Sequence, residues 1–375
     1  MRVLRLIRPH LFVVAALAPI AIVSAGTVSY RLERLDVPPA PGVTRFGQAT
    51  AIDGGLIAGT TYSHYGQENA TDIATIWTGR EHRPLLLPGG KDQNTIAHAV
   101  AGDQIVGSLV DSIHAALWTD GGTKLLDLNP SGYHRSGARG AANGYQVGYA
   151  DGDKEYAVVW HGSANDFIKL NGSLDSAQAI ATDGRQVVGS TPNDAALWTS
   201  FSPSSYVNLA PQGSDGSEAV AVWNGYQVGS ADFGEQARGI HAMLWHGSAD
   251  SAIDLHPAEF AESRATAINN GIVVGSGTAL VGPEEHDEAL VWLDPLHGAP
   301  PINLSRFSDG ASSNAWGIDR DGVIVGDVEG VPVRWVPLTA TAIPLPPGVL
   351  SGTLLLAAIG IVGILLRRFC PASFC

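Results

Sequence analysis

Cysteine is almost missing from this chain: of 375 residues only Cys370 and Cys375 are cysteines, both within the last six positions. No disulfide framework can therefore hold the body of the protein together. Helical periodicity is missing too. Between residues 26 and 342 no stretch of ten or more residues repeats apolar side chains every 3.6 positions, which excludes an α-helical body. Basic charge is scarce: that span carries 17 Lys and Arg against all 36 Asp and Glu, a net charge of −19, because Arg2, Arg5, Arg8, Arg367 and Arg368 lie at the chain ends. A body this acidic is a poor partner for nucleic acid or an anionic membrane surface. Catalytic signatures are absent as well: no Gly-x-Ser-x-Gly, no His-Glu-x-x-His, no Walker loop and no calcium-loop spacing occur. The twelve histidines are scattered, and His241 and His246, five apart on a strand, would face opposite sides.

Long apolar runs occur only at the two ends. Arg2, Arg5 and Arg8 precede an apolar run from Leu11 to Val23 and the small-residue pattern Val23-Ser24-Ala25, which reads as a signal peptide over 1–25 cut between Ala25 and Gly26. At the other end a Pro-rich linker (337–348) leads into 18 uncharged residues (349–366), enough for a transmembrane helix, and then a basic tail (367–375) beginning with Arg367-Arg368. The positive-inside rule leaves that tail in the cytoplasm and the body outside. This arrangement is that of an ordinary membrane anchor. The order Ile343-Pro344-Leu345-Pro346-Pro347, a Gly-rich apolar span and an arginine pair also resembles the PEP-CTERM family of bacterial sorting tails, in its Val-Pro-Leu-Pro-Ala variant, except that Phe369 to Cys375 continue past the usual end. That resemblance implies recognition and removal of the helix by an archaeosortase/exosortase-type enzyme. The protein would then be held at the outer surface or in the extracellular matrix, membrane-anchored at least before processing.

Internal repetition decides the architecture. A short apolar segment ending in glycine recurs at Gly59, Gly107, Gly148, Gly189, Gly229, Gly275 and Gly326, with spacings of 48, 41, 41, 40, 46 and 51 residues. Each glycine is followed by one tryptophan: Trp77, Trp118, Trp160, Trp198, Trp245, Trp292 and Trp335. After most of them comes an x-Leu segment such as Leu125-Leu126-Asp127-Leu128. Before each glycine lie an alanine-rich stretch and a turn dipeptide: Asp53-Gly54, Gly102-Asp103, Asn143-Gly144, Asp183-Gly184, Asn224-Gly225, Asn270-Gly271 and Asp321-Gly322. Such dipeptides supply the positive φ of two-residue hairpins.

Each unit thus reads as strand, tight turn, strand, loop, strand, turn, strand. Four short strands at this period predict an all-β, seven-bladed β-propeller of four-stranded blades. The seventh unit stops after Trp335 without its last strand, and an orphan segment of that type, Leu32-Glu33-Arg34-Leu35-Asp36-Val37-Pro38, precedes the first. Pairing the two would close the ring and remove its exposed edges. The expected organisation is an N-terminal closing strand within 26–45 and a propeller over 46–336, in units of about 46–90, 94–132, 134–174, 175–214, 215–260, 261–310 and 311–336. One tryptophan per unit reads as an inter-blade packing residue, and the glycine as a point of close backbone approach.

The succession of alanine-rich strand, Asn/Asp-Gly, Val-Val-Gly, Ala-x-Leu-Trp and x-Leu strand resembles the HAF family of extracellular repeats over residues 46–336. The resemblance implies an exported repeat protein and assigns no activity to any position.

Function is expected in the segments between glycine and tryptophan, which vary from 8 to 17 residues. They hold 15 acidic side chains against Lys154, Arg238 and Arg334. Clusters include Asp151, Asp153 and Glu155, and Glu284, Glu285, Asp287 and Glu288. Carboxylates around a propeller mouth could hold Ca²⁺ or attract a cationic partner, and they serve equally to keep an apolar-rich protein soluble. No catalytic residue and no resident cofactor is read from the sequence. The expected function is a non-catalytic binding or structural module engaging an extracellular glycan or another exported protein. The alternative is a polysaccharide hydrolase or lyase using loop carboxylates, which the fold would permit.

Overall fold

The computed structural model describes residues 28–38, 45–63, 71–78, 83–234, 239–281 and 284–338. The signal peptide with its Ala25–Gly26 junction, the motif Pro344 to Pro347, the apolar span 349–366 and Arg367-Arg368 lie outside those residues. Among the described residues no helix is long and apolar enough to cross a membrane, and the helices are single 3-10 turns.

The described strands form seven four-stranded antiparallel sheets. In six of them spatial order follows chain order. In the seventh, the order from the inside is Ser313–Ile318, Ile324–Val328, Val331–Pro337 and then Tyr30–Arg34 from the other end of the chain. One central cavity is lined from all seven sheets, so the sheets are the blades of a closed seven-bladed propeller. The closing strand starts two residues before the expected Leu32 and ends at Arg34; Leu32 lies opposite Trp335, and the Leu35 N–H donates to the Pro332 carbonyl at 2.9 Å. The same bond recurs from Leu87, Leu128, Leu170, Leu209, Leu255 and Leu304 in the other blades. Leu35 therefore occupies the x-Leu position of blade 7, and all seven leucines are buried.

Each inter-blade seam holds one apolar cluster. The tryptophan of one blade packs on the preceding blade, as Trp118 does on Ala58, Ala74, Ile76 and Leu87, and all seven repeat tryptophans are buried. Four indole N–H groups donate across the seam: Trp77 to the Asp36 carbonyl (2.7 Å), Trp118 to Pro88 (2.7 Å), Trp198 to Leu170 (2.9 Å) and Trp292 to Leu255 (3.1 Å). A second seam bond is invisible in the repeat consensus. The backbone N–H of Ala74, Ala115, Ala195, Ala242 and Ala289 each donates to a hydroxyl on the inner strand of the next blade: Thr95, Ser136, Ser217, Ser263 and Ser313. Where blade 4 has Ala177 instead, the Ala157 N–H finds Asn171. Where blade 1 has Gly47, the residue facing it is Pro332, which has no N–H to satisfy.

The repeat glycines follow from a bulge. In every blade the inner strand gains one residue against its neighbour, between Ala49 and Ala51, Ala97 and Ala99, Ala138 and Gly140, Ala179 and Ala181, Ala219 and Ala221, Ala265 and Ala267, and Ala315 and Gly317. The repeat glycine sits opposite the first residue of each pair. A Cβ there would fall well inside contact distance of an inner-strand carbonyl oxygen, that of Ile96 for Gly107 and of Gln178 for Gly189. Only glycine allows that approach.

The turn dipeptides divide into two kinds. Asn143-Gly144, Asn224-Gly225 and Asn270-Gly271 have positive φ at both residues and make two-residue hairpins. In blade 1 the pair with positive φ is Gly54-Gly55, one residue later than expected. Asp183-Gly184 and Asp321-Gly322 lie in longer loops, because Thr182 pairs with Val187 and Ile318 with Ile324. Carboxylates organise those loops: Asp183 accepts from the Arg185 and Gln186 N–H groups, and Asp319 from those of Asp321 and Val323.

Candidate functional site

Antiparallel order puts the glycine-to-tryptophan connections and the blade-to-blade connections on one face of the disc, and the turns after the inner strands on the other. The acidic clusters stand at the rim of the first face, where each described carboxylate is engaged singly. Asp151 pairs with the Arg135 guanidinium at 2.6 Å. Asp153 accepts from the Tyr156 hydroxyl at 2.9 Å, which holds its carboxyl below the usual range. Glu155 accepts from the Gln178 amide at 3.0 Å. In the second cluster, sequence reasoning expected a loop and the structure has a long hairpin, Ile272–Val281 with Glu284–Trp292. Its register continues to Val281 opposite Glu284, since β-branched and apolar residues support pairing beyond the point where glycine and proline suggest a break. On a strand the acidic run splits between two faces. Asp287 accepts from the Thr278 hydroxyl at 2.9 Å, and Glu288 bonds His286 at 3.0 Å and also accepts from Asn303. The side chains of Glu284 and Glu285 lie outside the described residues. Among the described residues no three His, Cys, Asp or Glu side chains group to hold a metal ion. His241 stacks on His256 with ring centroids 4.1 Å apart, whereas His246 stacks on Tyr226.

One cavity on this face, of about 380 Å³, brings two carboxylates to a shared wall: Glu262 and Asp287, with His286, Thr278 and Ser312. Glu262 also pairs with Arg264 at 3.1 Å.

The larger feature is the central channel, about 580 Å³. Its wall contains the extra residue of each inner-strand bulge: Thr50, His98, Arg139, Ile180, Val220, Thr266 and Trp316. A bulge turns a side chain out of the pleat, here toward the axis, at the same place in every blade. Sequence reasoning missed this ring. The signal was present as Ala-x-Ala or Ala-x-Gly beginning 10 residues before the repeat glycine in six units and 11 before it in the seventh, with x different in nearly every unit, but nothing in a strand pattern says that x faces a channel. The Thr50 and Thr266 hydroxyls donate to the carbonyls of Ala97 (3.1 Å) and Ala315 (2.7 Å) on the next blade, so they fasten neighbours. The Trp316 indole donates to Asp327 at 2.7 Å; burial raises that carboxyl, and the indole bond only partly offsets it.

The other polar wall residues include His98, Arg139, Glu218 and Arg264. His98 is pulled down to about 3, first by burial and second by Arg139, so its imidazole is neutral at ordinary pH. Arg139 lies 3.5 Å from His98 Nε2 and 5.7 Å from the Tyr149 ring centroid. The Tyr149 ring lies against Gly137, where a Cβ would meet it. Glu218, on blade 5, is raised by burial, with the Ser190 hydroxyl at 3.5 Å and the charge of Arg139 acting in the opposite direction.

No family model matches the chain, and no curated protein does. Three solved structures similar to it share 11–14% identity with it. The WD40 repeats of RRP9 align with a TM-score of 0.50 at 14% identity over 83% of this chain and 100% of that one. A puromycin hydrolase mutant complexed with PGG aligns with a TM-score of 0.52 at 12% identity, over 80% of this chain and 54% of the hydrolase, so this chain spans about half of that enzyme's length. The propeller domain of the Trilobed protease from Pyrococcus furiosus aligns with a TM-score of 0.46 at 11% identity. Likeness at this level is likeness of fold: the protein is a seven-bladed β-propeller.

Proposed function

We propose that this chain is an exported bacterial surface or matrix protein whose propeller is a non-catalytic binding module, meeting an extracellular glycan or another exported protein through its acidic loop-bearing face. In this reading the leader ending at Ala25 directs export. The tail with Pro344, Leu345, Pro346, Pro347, Arg367 and Arg368 is handled by an archaeosortase/exosortase-type enzyme, in keeping with the HAF-like repeat. The observation that supports binding over catalysis is that the described rim carboxylates Asp151, Asp153, Glu155, Asp287 and Glu288 each have their own partner. Such a face presents charge on a rigid scaffold and variable connections, where recognition usually resides.

One feature supports the second reading, a polysaccharide hydrolase or lyase: Glu262 and Asp287 share a cavity wall, as an acid–base pair would. Affinity electrophoresis of the full chain in neutral and amino-sugar polysaccharides separates the two. Retardation without new reducing ends or unsaturated sugars is expected. Release of either, lost in Asp287→Asn, would overturn the non-catalytic reading.

A further inference from the structure

Two seams of the ring share one framework and differ in what fills it. Only Tyr145 in blade 3 and Tyr226 in blade 5 put a tyrosine at the start of a second strand. Each ring stacks on the histidine that follows its blade's repeat tryptophan: Tyr145 on His161 (centroids 5.0 Å apart, 28°) and Tyr226 on His246 (4.6 Å, 22°). The glutamine after each tyrosine is buried and ties the two segments together. Gln146 donates to the Gly144 carbonyl at 2.8 Å and accepts from the Gly162 N–H at 2.8 Å. Gln227 does the same with Gly225 at 2.7 Å and Gly247 at 2.8 Å. Between blades 3 and 4 the framework is closed. Phe201, three residues past Trp198, meets Tyr145 edge to face at 4.6 Å, and the Asn143 amide donates to the Asp183 carbonyl of blade 4 at 3.0 Å. Between blades 5 and 6 it is open. The residue three past Trp292 is Pro295, and Asn224, the counterpart of Asn143, lines a cavity of about 360 Å³.

The apolar walls of that cavity are Trp223 and Tyr226 on blade 5 and Ile268, Leu293, Pro295 and Leu296 on blade 6. Trp223 stands outside the set of repeat tryptophans, and blade 3 has Ala142 in its place. Leu296 is 42% exposed, so apolar surface is left uncovered here. The closed copy of the framework shows what the open one accepts, since its occupant is a phenylalanine ring carried on a peptide segment. Burying such a ring against apolar walls is favourable, and edge-to-face contact with tyrosine adds to it. The volume lies within the ordinary range for binding pockets. We propose that the cavity between blades 5 and 6 receives an aromatic side chain, phenylalanine or tyrosine, of a partner protein, seated on Tyr226 as Phe201 is seated on Tyr145. This site is independent of the loop-face reading: it lies on the face of the inner-strand turns and uses none of the rim carboxylates.

The test is a ligand-observed NMR titration of the full chain with N-acetylphenylalaninamide, N-acetylleucinamide, N-acetylalaninamide and methyl β-D-glucopyranoside. The aromatic amide should bind with a Kd of about 1 mM, ordinary for a ligand of its size. The leucine amide should bind more weakly, and the alanine amide about tenfold more weakly or worse, because it buries no ring. Tyr226→Ala should weaken the aromatic amide by about tenfold. Phe201→Ala, which empties the closed seam, should add a second site for the same amide. Leu296→Trp, at an exposed position, should obstruct the cavity and serves if either of the other variants fails to fold. Absence of binding by the aromatic amide, equal binding by the leucine amide, tighter binding by the glucoside, or a single unchanged site in Phe201→Ala would each overturn the proposal.

Discussion

The inter-blade seam and the channel wall belong to the same seven blades, yet they use sequence in opposite ways. At the seam the same residues return seven times: a buried tryptophan, an x-Leu leucine and a glycine under the bulge. At the channel wall a few ångströms away, the bulge residue is threonine, histidine, arginine, isoleucine, valine, threonine and tryptophan in turn. A seam position must fit a neighbour of fixed shape, so one solution repeats. A bulge position faces the cavity, and beyond the bonds of Thr50, Thr266 and Trp316 to neighbouring strands it has no fixed neighbour to fit. The comparison separates residues that make the ring from residues free to give it a purpose.

Four tests would break or sharpen that contrast. The largest effect is expected in the seam: Trp118→Ala should remove about 3–5 kcal/mol of stability by leaving a cavity between blades, measured by denaturant titration. Within the same layer, Trp118→Phe should be about 1 kcal/mol worse than Trp160→Phe, because the Trp118 N–H bonds Pro88 and the Trp160 N–H has no partner among the described residues. Gly107→Ala should follow, at about 3 kcal/mol, since its Cβ would overlap the Ile96 carbonyl oxygen and the bulge would have to shift; an unchanged melting temperature would disprove the close-approach reading.

The third test uses pH. At ring closure the Glu33 carboxyl is raised by burial but lowered more by hydrogen bonds from Arg334 and Arg31, and its net position is below the usual range. A lowered carboxyl contributes stability above its unfolded pKa that is lost as pH falls through the folded one. Asp327, raised by burial, has the opposite sign, its contribution being present at low pH and lost as pH rises through the folded pKa. Melting temperatures from about pH 7 down to about pH 3 should therefore show Glu33→Gln destabilised at neutral pH and converging on the parent in acid. Asp327→Asn should be stabilised at neutral pH and converge likewise. The smallest effect belongs to the channel: Ile180→Ala should change stability by under about 1 kcal/mol in a denaturant titration, and a seam-sized loss would place Ile180 among the structural residues.

The sequence by itself determined the seven units, their four-strand composition, the tryptophan and glycine positions and the closure by an N-terminal segment. These follow from local rules: strand alternation, turn dipeptides, and a repeat period too regular to be anything but a stack of equal units. Closure was legible because Leu32 to Leu35 copies the x-Leu strand that blade 7 lacks. Exact register was less so, and the closing strand, all three Asp-Gly turns and the Glu284 to Glu288 hairpin moved. Pairing partners and side-chain bonds decide those limits, and neither is encoded in a run of residue types. Only the tertiary structure decided that the rim carboxylates are held singly, that hydroxyls from Thr95 to Ser313 fasten one blade to the next, and that the bulge residues share one cavity. Arg139 and Glu218 are 79 positions apart in the chain. The stacking of blades 3, 4 and 5 is what brings both to one cavity.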